Sequence, residues 1–261
     1  MAELLKADGL AQVFGGLRAV SNFNMVIEKG ELIGLIGPNG AGKTTAFNMI
    51  TGVYRPTEGE LTFNGKSIVG KKPSEITARG IARTFQNIRL FKDLTVLDNV
   101  VIAMQQAQTY SLWDSFLHTP RWRAAERAVY QRSTEFLKLL NLEAKATELA
   151  RNLAYGEQRH LEIARALATD PRLLLLDEPA AGMNPNETAQ LTRLIDWIRQ
   201  TYDLTILLIE HDMSLVMSIC ERIHVLDHGV VIAVGSPDEI RNDPRVIEAY
   251  LGEEVDDVRD L

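Results

Sequence analysis

The chain has 261 residues, of which 46% are hydrophobic and 24% charged, and its formal net charge is −7 at pH 7. This composition is typical of a globular protein with a substantial core, and the negative charge argues against a general nucleic-acid-binding protein. The single cysteine, Cys220, excludes an intrachain disulfide framework. The sequence shows neither a secretion signal nor an apolar run of the roughly 18 residues that a membrane span needs. We therefore expect a cytosolic protein that reaches any membrane through a partner.

The first 87 residues predict strands, together with a glycine-rich turn and a helix. Residues 3–35 combine strand-like patterning with turn signals, and the apolar run at 31–37 ends in glycine, like a buried parallel strand. The segment "KTTAFNMITGV" predicts a helix after the glycine-rich turn, and Asn64–Gly65 predicts a hairpin turn. We assign residues 1–87 to the first part of an α/β core.

From about Asp98 to Ala168 the pattern becomes helical, which predicts a helical block inserted into the core at about residues 88–164. Its amphipathic segment "RWRAAERAVYQRSTEFLKLLNL" follows a break at Pro120. Strands return in "RLLLLDEP" and "TILLIEHD", and the helical pattern between them implies parallel pairing. A predicted hairpin surrounds His228–Gly229. The expected divisions are a helical subdomain at 88–164, a second part of the core at 165–236, and a C-terminal helix with an acidic tail at 237–261.

The motif "GPNGAGKT" at residues 37–44 fits the phosphate-loop pattern G-x-x-x-x-G-K-[ST] and stands between a predicted strand and a predicted helix. Its glycines allow backbone N–H groups to surround phosphate oxygens. We expect Lys43 to bind the β- and γ-phosphates and the Thr44 hydroxyl to bind Mg²⁺. The alternative, a glycine turn without a ligand, is disfavoured by this context. The predicted phosphate-binding residues are Gly37, Pro38, Asn39, Gly40, Ala41, Gly42, Lys43, Thr44 and Thr45.

Acidic and polar residues follow the strands that would end beside this loop. Because ligands bind beyond the carboxyl ends of strands in open α/β sheets, we expect Asp177 to hold Mg²⁺ and Glu178 to act as general base. The alternative is a solvated strand end capped by Pro179. His211 is placed to contact a γ-phosphate or Glu178, and Gln86 to contact Mg²⁺ or the attacking water. In isolation, each of these two would be an ordinary structural or surface residue.

A second helix start, in "NLAYGEQRHLEIARAL" at residues 152–167, has the features of an anion site. It is a short polar turn containing Gly156, where backbone N–H groups and the positive end of the helix dipole would face a ligand. The phosphate loop lies more than a hundred residues upstream. The residues alone therefore leave the ligand of this helix start open.

Together and in this order, these motifs resemble the ATP-binding subunits of ABC transporters over nearly the whole chain. The resemblance implies an α/β fold, namely a P-loop NTPase (RecA-like) core with an N-terminal antiparallel β-subdomain and an inserted α-helical subdomain. It also implies ATP hydrolysis with Glu178 and His211 as catalytic residues. The Mg²⁺ ion would be held by Thr44, Gln86 and Asp177.

The resemblance also assigns a ligand to the second helix start. In this family the signature turn binds the γ-phosphate of ATP held by the other subunit of a head-to-tail dimer, so a second ATP-binding subunit, identical or related, is expected. The implied contacts in trans are Ala154, Tyr155, Gly156, Glu157 and Gln158. Phe14 occupies the place of the family's adenine-stacking aromatic residue, and Val20 that of its apolar neighbour.

Two departures from the family pattern point to a subfamily. Ala154 replaces the usual signature serine, and Asn184 replaces the aspartate usual in the loop after Glu178. Together with the tail "VIEAYLGE", these sequence features resemble those of the LivG-type ATPases of branched-chain amino acid uptake. That resemblance implies two membrane permease subunits, an extracytoplasmic substrate-binding protein that acts indirectly, and a peripheral position on the cytoplasmic face of the inner membrane.

Several interpretations stay open at this point. Phe91, Leu94 and Val96 fit either a groove for a permease helix or plain core. A soluble ABC ATPase usually has two cassettes or long insertions, and the ATPase of lipopolysaccharide export usually keeps the signature serine. A GTPase is disfavoured because the chain has no Asn-Lys-x-Asp motif. A non-enzymatic interaction module would not need Glu178 and His211 at strand ends.

Overall fold

The structure is a computed structural model, and it describes residues 2–105, 114, 116 and 119–259. The remaining residues of the predicted helical subdomain, 106–113, 115, 117 and 118, lie outside this part. The described elements form two sheets flanked by helices, which is the α/β class expected from the sequence. None of the helices described here has both the length and the apolar character needed to cross a membrane.

The smaller sheet contains the strands β1 (Glu3–Phe14), β2 (Leu17–Glu28), β4 (Glu58–Phe63) and β5 (Lys66–Ser67). They lie in the order β2–β1–β4–β5 and pair in antiparallel fashion, so this sheet is the expected antiparallel β-subdomain. The predicted hairpin joins β4 to β5. Asn64 and Gly65 both have positive φ angles there, of 49° and 67°, as a tight hairpin turn requires.

The larger sheet contains β3 (Leu32–Ile36), β6 (Ile81–Arg83), β7 (Leu173–Asp177), β8 (Thr205–Ile209), β9 (Arg222–Asp227) and β10 (Val230–Gly235). Their order is β10–β9–β3–β8–β7–β6. The neighbours from β9 to β6 run parallel, while β10 pairs with β9 in the predicted antiparallel hairpin.

Helices pack against both faces of the larger sheet. They are α1 (Lys43–Ile50), α2 (Pro73–Thr77), α3 (Val96–Gln105), α4 (Pro120–Leu139), α5 (Tyr155–Leu167), α6 (Pro185–Tyr202), α7 (Met213–Ile219), α8 (Pro237–Arg241) and α9 (Pro244–Arg259). Short 3₁₀ turns occur at Glu143–Lys145 and Ala150–Asn152.

The alternation of side chains along the central strands creates two cores. Leu32 and Ile36 of β3 belong to the core that contains apolar residues of α3 to α7, whereas Ile33 and Leu35 belong to the core under α1 and the antiparallel sheet. Strands β3, β7 and β8 are buried along their whole length. A parallel sheet needs this cover on both faces, which explains its continuous apolar runs in the sequence.

Helix α5 ends at Leu167, as the helical pattern of residues 152–167 predicts, and its Leu161, Ile163 and Leu167 pack into the core. One element differs from the sequence expectation. The C-terminal segment forms two helices instead of one helix and a tail, because Pro244 disfavours helical backbone at the preceding residue and starts α9. The backbone of α9 is helical through Arg259.

The parallel strands bring the predicted site residues to one edge of the sheet. Strand β3 leads into the glycine-rich loop, β6 leads toward Gln86, β7 ends immediately before Glu178, and β8 ends two residues before His211. Because these strands run in the same direction, their carboxyl ends open on the same side.

Candidate nucleotide-binding site

The phosphate loop holds a buried ammonium group inside a backbone turn. Lys43 Nζ donates to the carbonyl oxygens of Gly37, at 2.6 Å, and Pro38, at 2.7 Å. The φ angles of Gly37, Gly40 and Gly42 are positive. A Cβ atom on Gly37 would approach the carbonyl oxygen of Leu226 to 1.9 Å. The glycine at this position is therefore required by contact as well as by conformation.

Helix α1 begins directly after this loop with a terminus suited to an anion. Gly42, in left-handed conformation, precedes it, no side chain caps it, and its first turn contains no acidic residue. The positive end of its dipole therefore faces the loop without a protein carboxylate to neutralise it. Thr44, in the first turn, is exposed, so its hydroxyl is accessible to a ligand.

Glu178 lies between two of the predicted site residues. Gln86 Nε2 donates to Glu178 Oε2 at 2.7 Å, and His211 Nε2 lies 2.9 Å from Glu178 Oε1. Each carboxylate oxygen thus has one partner, and the side chain is only 15% exposed. The structure brings together three residues that follow β6, β7 and β8 and are far apart in sequence, including the contact between His211 and Glu178 that the sequence favoured.

The backbone of Glu178 also fixes this carboxylate. Its φ angle is +46°, a left-handed conformation that a non-glycine residue seldom adopts, and its N–H donates to the carbonyl oxygen of Ile209 at 2.9 Å. Backbone strain of this kind persists where the surroundings determine the conformation, and it concentrates at functional sites.

Asp177 has a partner that the sequence analysis missed. Arg83 donates to Asp177 Oδ2 at 2.6 Å, and both side chains are almost fully buried. Arg83 also donates to Asn48 Oδ1 at 2.6 Å, which ties α1 to β7. Asp177 is therefore held in place by an arginine rather than left as a free carboxylate. The signal for Arg83 was its place at the end of β6, but its partner is set by tertiary packing.

Glu210 is a second residue that the sequence analysis missed. Its Oε1 atom accepts from the N–H of Ala180 at 2.6 Å, and its Oε2 atom accepts from the N–H groups of His211, at 2.9 Å, and Asp212, at 3.3 Å. Burial raises the pKa of this carboxyl, and the three N–H donors oppose that rise. Glu210 thereby connects the loop after Glu178 to the loop that carries His211.

The second helix start has no side-chain cap on its first-turn amides, as the sequence predicts, although Glu157 and Lys145 support the turn. Glu157 Oε2 accepts from the N–H of Ala154 at 3.1 Å, and Lys145 Nζ donates to the same carboxylate at 2.7 Å. The Lys145 hydrogen bond lowers the pKa of Glu157. Ala154 has no side-chain acceptor, so the amides of Tyr155 and Gly156, in the first turn of α5, keep no intrahelical partner.

Of the other signature residues, one supports the turn and two are open to solvent. Gln158 Nε2 donates to the carbonyl oxygen of Leu153 at 2.9 Å and so supports the turn. Tyr155 is exposed, and its ring lies near Gly182, in the loop that follows Glu178. An added Cβ atom on Gly156 would meet no heavy atom within 4 Å, so this position opens to solvent.

The two predicted base-contact residues differ in exposure. Phe14 is exposed at the end of β1, and its ring packs edge-on against Tyr54 with 5.1 Å between ring centroids. Val20 is fully buried, and a Cβ atom on Gly42 would lie 3.1 Å from its Cγ2 atom. Phe14 can therefore present a ring face or edge to a ligand, whereas Val20 supports the phosphate loop from below.

Asn184, the departure in the loop after Glu178, caps helix α6. Its Oδ1 atom accepts from the N–H groups of Asn186, at 3.0 Å, and Glu187, at 3.1 Å, while Glu187 Oε2 accepts from the N–H of Asn184 at 2.9 Å. This reciprocal capping box needs an acceptor oxygen but no negative charge. The asparagine therefore keeps the cap that an aspartate would form.

A groove of about 720 Å³ lies between the parallel sheet and the helical region. Its lining includes Phe85, Arg89, Phe91, Ile102 and Arg165. Phe91 is exposed, whereas Val96 is fully buried, so the core is the correct one of the two interpretations left open for Val96. Val96 is core because it starts α3, which packs against α4 and α5. Leu94 is partly exposed and lies outside the lining.

The oxygen donors around the phosphate loop fit a magnesium ion that shares its ligands with phosphates and water. The described residues contain no cluster of three or more His, Cys, Asp or Glu side chains able to hold a metal. Mg²⁺ in nucleotide sites is held by one or two protein oxygens together with substrate phosphates and waters, so such a cluster is not needed. The hydroxyl, amide and carboxylate oxygens of Thr44, Gln86 and Asp177 are donors of the type that this ion prefers.

Comparison with known proteins identifies the family of the chain. The sequence pattern of the ABC transporter family matches residues 20–181, and that of the branched-chain amino acid ATP-binding cassette transporter matches residues 230–256. The chain is 48% identical to the high-affinity branched-chain amino acid transport ATP-binding protein LivG of Salmonella typhimurium, over 96% of this chain and 98% of that protein.

Solved structures agree with this relationship. A crystal structure of the ADP conformation of MJ1267, an ATP-binding cassette of an ABC transporter, has a TM-score of 0.84 and 30% identity, covering 97% of this chain and all of the other. The dimeric post-hydrolysis structure of the ATP-binding cassette MJ0796 with ADP and Pi has a TM-score of 0.76 and 26% identity, covering 90% of this chain and 99% of the other. ATPase subunits of such transporters work as dimers with membrane permease components. The chain therefore belongs to the ABC transporter family, as an ATP-binding and ATP-hydrolysing transporter subunit.

Proposed function

We propose that this chain is the ATPase subunit of an importer for branched-chain amino acids. The observation that carries the ATPase chemistry is the Glu178 carboxylate, held between Gln86 and His211 at the edge of the sheet where the phosphate loop opens. The similarity to LivG over nearly the whole chain supports the substrate class, as does the match of the C-terminal residues 230–256. These similarities favour amino acid uptake over lipopolysaccharide export or a soluble ABC ATPase.

In the proposed reaction, water attacks the γ-phosphorus of ATP and the bond to the bridging oxygen of ADP breaks. Glu178 accepts the water proton in part and orients the oxygen for attack. Gln86 and His211 hold this carboxylate, and His211 can also contact the γ-phosphate. Lys43 and the backbone N–H groups of residues 37–45 bind the β- and γ-phosphates. Phe14 stacks on the adenine, while Val20 supports the loop.

A bound Mg²⁺ ion would neutralise negative charge on the phosphates. Thr44, Gln86 and Asp177 are the residues proposed to hold it, directly or through water. The Arg83 ion pair fixes the position of Asp177 relative to α1. Without that pair, the Asp177 carboxylate would lose the partner that holds its rotamer.

The signature turn is proposed to act on the ATP molecule of a second ATP-binding subunit, either a copy of this chain or a related one. The first-turn amides of α5 and the positive end of its dipole would contact that γ-phosphate. The residues proposed for this contact in trans are Ala154, Tyr155, Gly156, Glu157 and Gln158. Exposure at Tyr155 and open space at Gly156 support a contact there.

The proposal includes the division of the chain and its place in the transporter. The core is assigned to residues 1–87 and 165–236, the helical subdomain to 88–164, and the C-terminal part to 237–261. Two permease subunits would hold the ATPase dimer at the cytoplasmic face of the inner membrane, with the groove beside Phe91 as the docking surface. A substrate-binding protein would act from the extracytoplasmic side of the membrane. Closure of the ATPase dimer drives the permeases only if ATP binds the closed dimer more tightly than the open one.

Reconstitution tests this proposal directly. The chain would be purified with its membrane permeases and binding protein, placed in liposomes, and supplied with radiolabelled leucine and internal ATP. ATP-dependent leucine accumulation is the expected result. Lys43→Ala should abolish both this accumulation and nucleotide binding. Uptake of leucine independent of ATP, or ATP-driven transport that excludes branched-chain amino acids, would contradict the proposal.

A further inference from the structure

The guanidinium group of Arg159 connects helix α5 to the backbone of two site residues. Arg159 is fully buried one helical turn after the start of α5. Its NH1 group donates to the carbonyl oxygen of Phe85 at 2.6 Å. Its NH2 group donates to the carbonyl oxygens of Gln86, at 3.0 Å, and Glu178, at 3.3 Å. Gln86 and Glu178 are the same two residues whose side chains are hydrogen-bonded to each other.

Glu162 completes this cluster from the next turn of the same helix. Its Oε2 atom accepts from Arg159 NH1 at 2.8 Å, and its Oε1 atom accepts from the N–H groups of Phe85, at 3.2 Å, and Arg89, at 3.4 Å. Burial raises the pKa of the Glu162 carboxyl, and the Arg159 guanidinium opposes that rise. The ion pair thus fixes both the N–H and the C=O of Phe85, immediately before Gln86.

Stability alone does not account for an ion pair at this position. Removing a guanidinium and a carboxylate from water is costly, and apolar residues of similar volume often give equal or greater stability in a core. What apolar residues cannot do is hold three backbone carbonyls in one arrangement. The planar, forked donors of arginine suit that task, and the single ammonium of lysine does not.

The same guanidinium lies close to the start of α5. Arg159 NH2 is 3.5 Å from the hydroxyl oxygen of Tyr155, the first residue of the helix. In the proposed function, this helix start contacts the ATP of the second subunit, while Gln86 and Glu178 act on the ATP of their own chain. The two half-sites of one chain therefore meet at one buried side chain.

We infer that Arg159, together with Glu162, is a positioning residue for ATP hydrolysis. It sets Glu178 and Gln86 through their backbone carbonyls and links them rigidly to the start of α5. Docking of that helix start on the second subunit's ATP would thereby fix the water-orienting residues of its own site. This inference rests on the proposed function, because it requires Glu178 to be the general base.

A double-mutant cycle between Arg159→Met and Glu178→Gln tests the inference. We expect R159M to lower kcat for ATP by about 10- to 100-fold, because small displacements of reacting groups have effects of this size. The KM for ATP should change less than about threefold, because the phosphate loop is untouched. In the Glu178→Gln background, measured by single-turnover hydrolysis, R159M should cost less than about threefold, since the group it positions is already lost.

A second variant protects the test against a folding failure. Arg159→Lys keeps a positive charge beside Glu162, so we expect a melting temperature within a few degrees of the original and kcat still lowered by at least about tenfold. The matched control is Arg222→Met. Arg222 also donates to a backbone carbonyl, that of Val26 at 2.7 Å, and to a carboxylate, Glu31 at 2.9 Å, but it contacts neither Gln86 nor Glu178. R222M should change kcat by the same small factor in both backgrounds.

Three results would overturn the inference. They are an R159K protein with unchanged kcat, a rise in KM without a fall in kcat, and equal losses from the Arg159 variants with and without Glu178→Gln. The proposed function fails by a different result, which is a Glu178→Gln protein that hydrolyses ATP at the original rate. Fully active Arg159 variants beside an inactive Glu178→Gln protein would remove this inference and leave the proposed function standing.

Discussion

The side-chain amide of Gln86 donates a hydrogen bond of 2.7 Å to Glu178 Oε2, across 92 positions of sequence. His211 Nε2 lies 2.9 Å from the other carboxylate oxygen of Glu178, Oε1. The carboxylate proposed to orient the attacking water is therefore held by two neighbours, which follow two different parallel strands, β6 and β8. Phe85, the residue immediately before Gln86, lines the groove proposed for the permeases.

Substitution of Gln86 should separate positioning from nucleotide binding. In Gln86→Ala, Glu178 loses one of its two partners and becomes free to rotate, so we expect kcat to fall about 10- to 100-fold with a KM for ATP within about threefold. Steady-state phosphate release measures both quantities. The matched control is Gln200→Ala, because Gln200 bonds Asp196 on the exposed side of α6. A Q86A protein as fast as the Q200A protein would contradict the role assigned to Gln86.

Removal of the proposed base should stop turnover without releasing ATP. Glu178→Gln keeps the shape of the side chain and loses its basicity, so we expect the hydrolysis rate to fall roughly 100- to 1,000-fold. ATP should remain bound, and the protein should elute as a dimer in its presence. Size-exclusion chromatography with radiolabelled ATP measures both effects. Near-normal hydrolysis by this variant would exclude Glu178 as the base.

The sequence predicted the parts of the site that depend on short stretches of chain. The phosphate loop could be recognised because its glycines and Lys43 stand within eight consecutive positions, 37–44. Glu178 and His211 could be placed because buried parallel strands end at one edge of a sheet. Both arguments use local patterns and a general property of the fold, and the structure has these residues where the patterns put them.

The buried charges around the site could not be predicted in the same way. Arg83, Arg159 and Glu210 looked like ordinary polar residues, because their partners lie 94, 74 and 30 positions away. Pairing over such separations is decided by how strands and helices pack, which no local period records. Val96 was ambiguous for the same reason, since an apolar residue at a helix start can face either a groove or the core.

Removal of Arg83 should destabilise the protein through Asp177. Arg83→Met leaves a carboxylate buried without its cation, and breaking a buried pair in this way costs about 3–5 kcal/mol. The free energy of unfolding, from urea titration followed by circular dichroism, measures the loss. The control is Arg151→Met, which breaks an exposed pair with Asp93 and should cost less than about 1 kcal/mol. Equal losses in the two variants would show that the buried pair has no special weight.

His224 should make the folded state sensitive to acid. It is buried on β9, and burial, assisted by the charge of Arg222, lowers its pKa from 6.5 to about 4. Between these values the unfolded chain binds the proton and the folded chain does not, so stability falls as the pH drops through this window. From pH 7 to pH 5 the loss from this residue alone is about 2 kcal/mol.

Replacement of His224 by leucine tests this assignment. Both ring nitrogens lack a hydrogen-bond partner in the described part of the structure, so the apolar side chain should be tolerated at pH 7. Between pH 7 and pH 5, the free energy of unfolding of His224→Leu should fall by about 2 kcal/mol less than that of the original protein. Urea unfolding at each pH measures this difference. His228→Asn, at an exposed turn, is the control and should leave the pH dependence unchanged. Parallel pH profiles for H224L and the original would contradict the assignment.

The most direct measurement of the central claim is a crystal structure of the Glu178→Gln protein with ATP and Mg²⁺. The account predicts a head-to-tail dimer in which the start of α5 in one subunit, at Tyr155 and Gly156, contacts the γ-phosphate held by Lys43 of the other. A monomer in the crystal and in solution, with ATP on the phosphate loop and the start of α5 touching no phosphate, would contradict it.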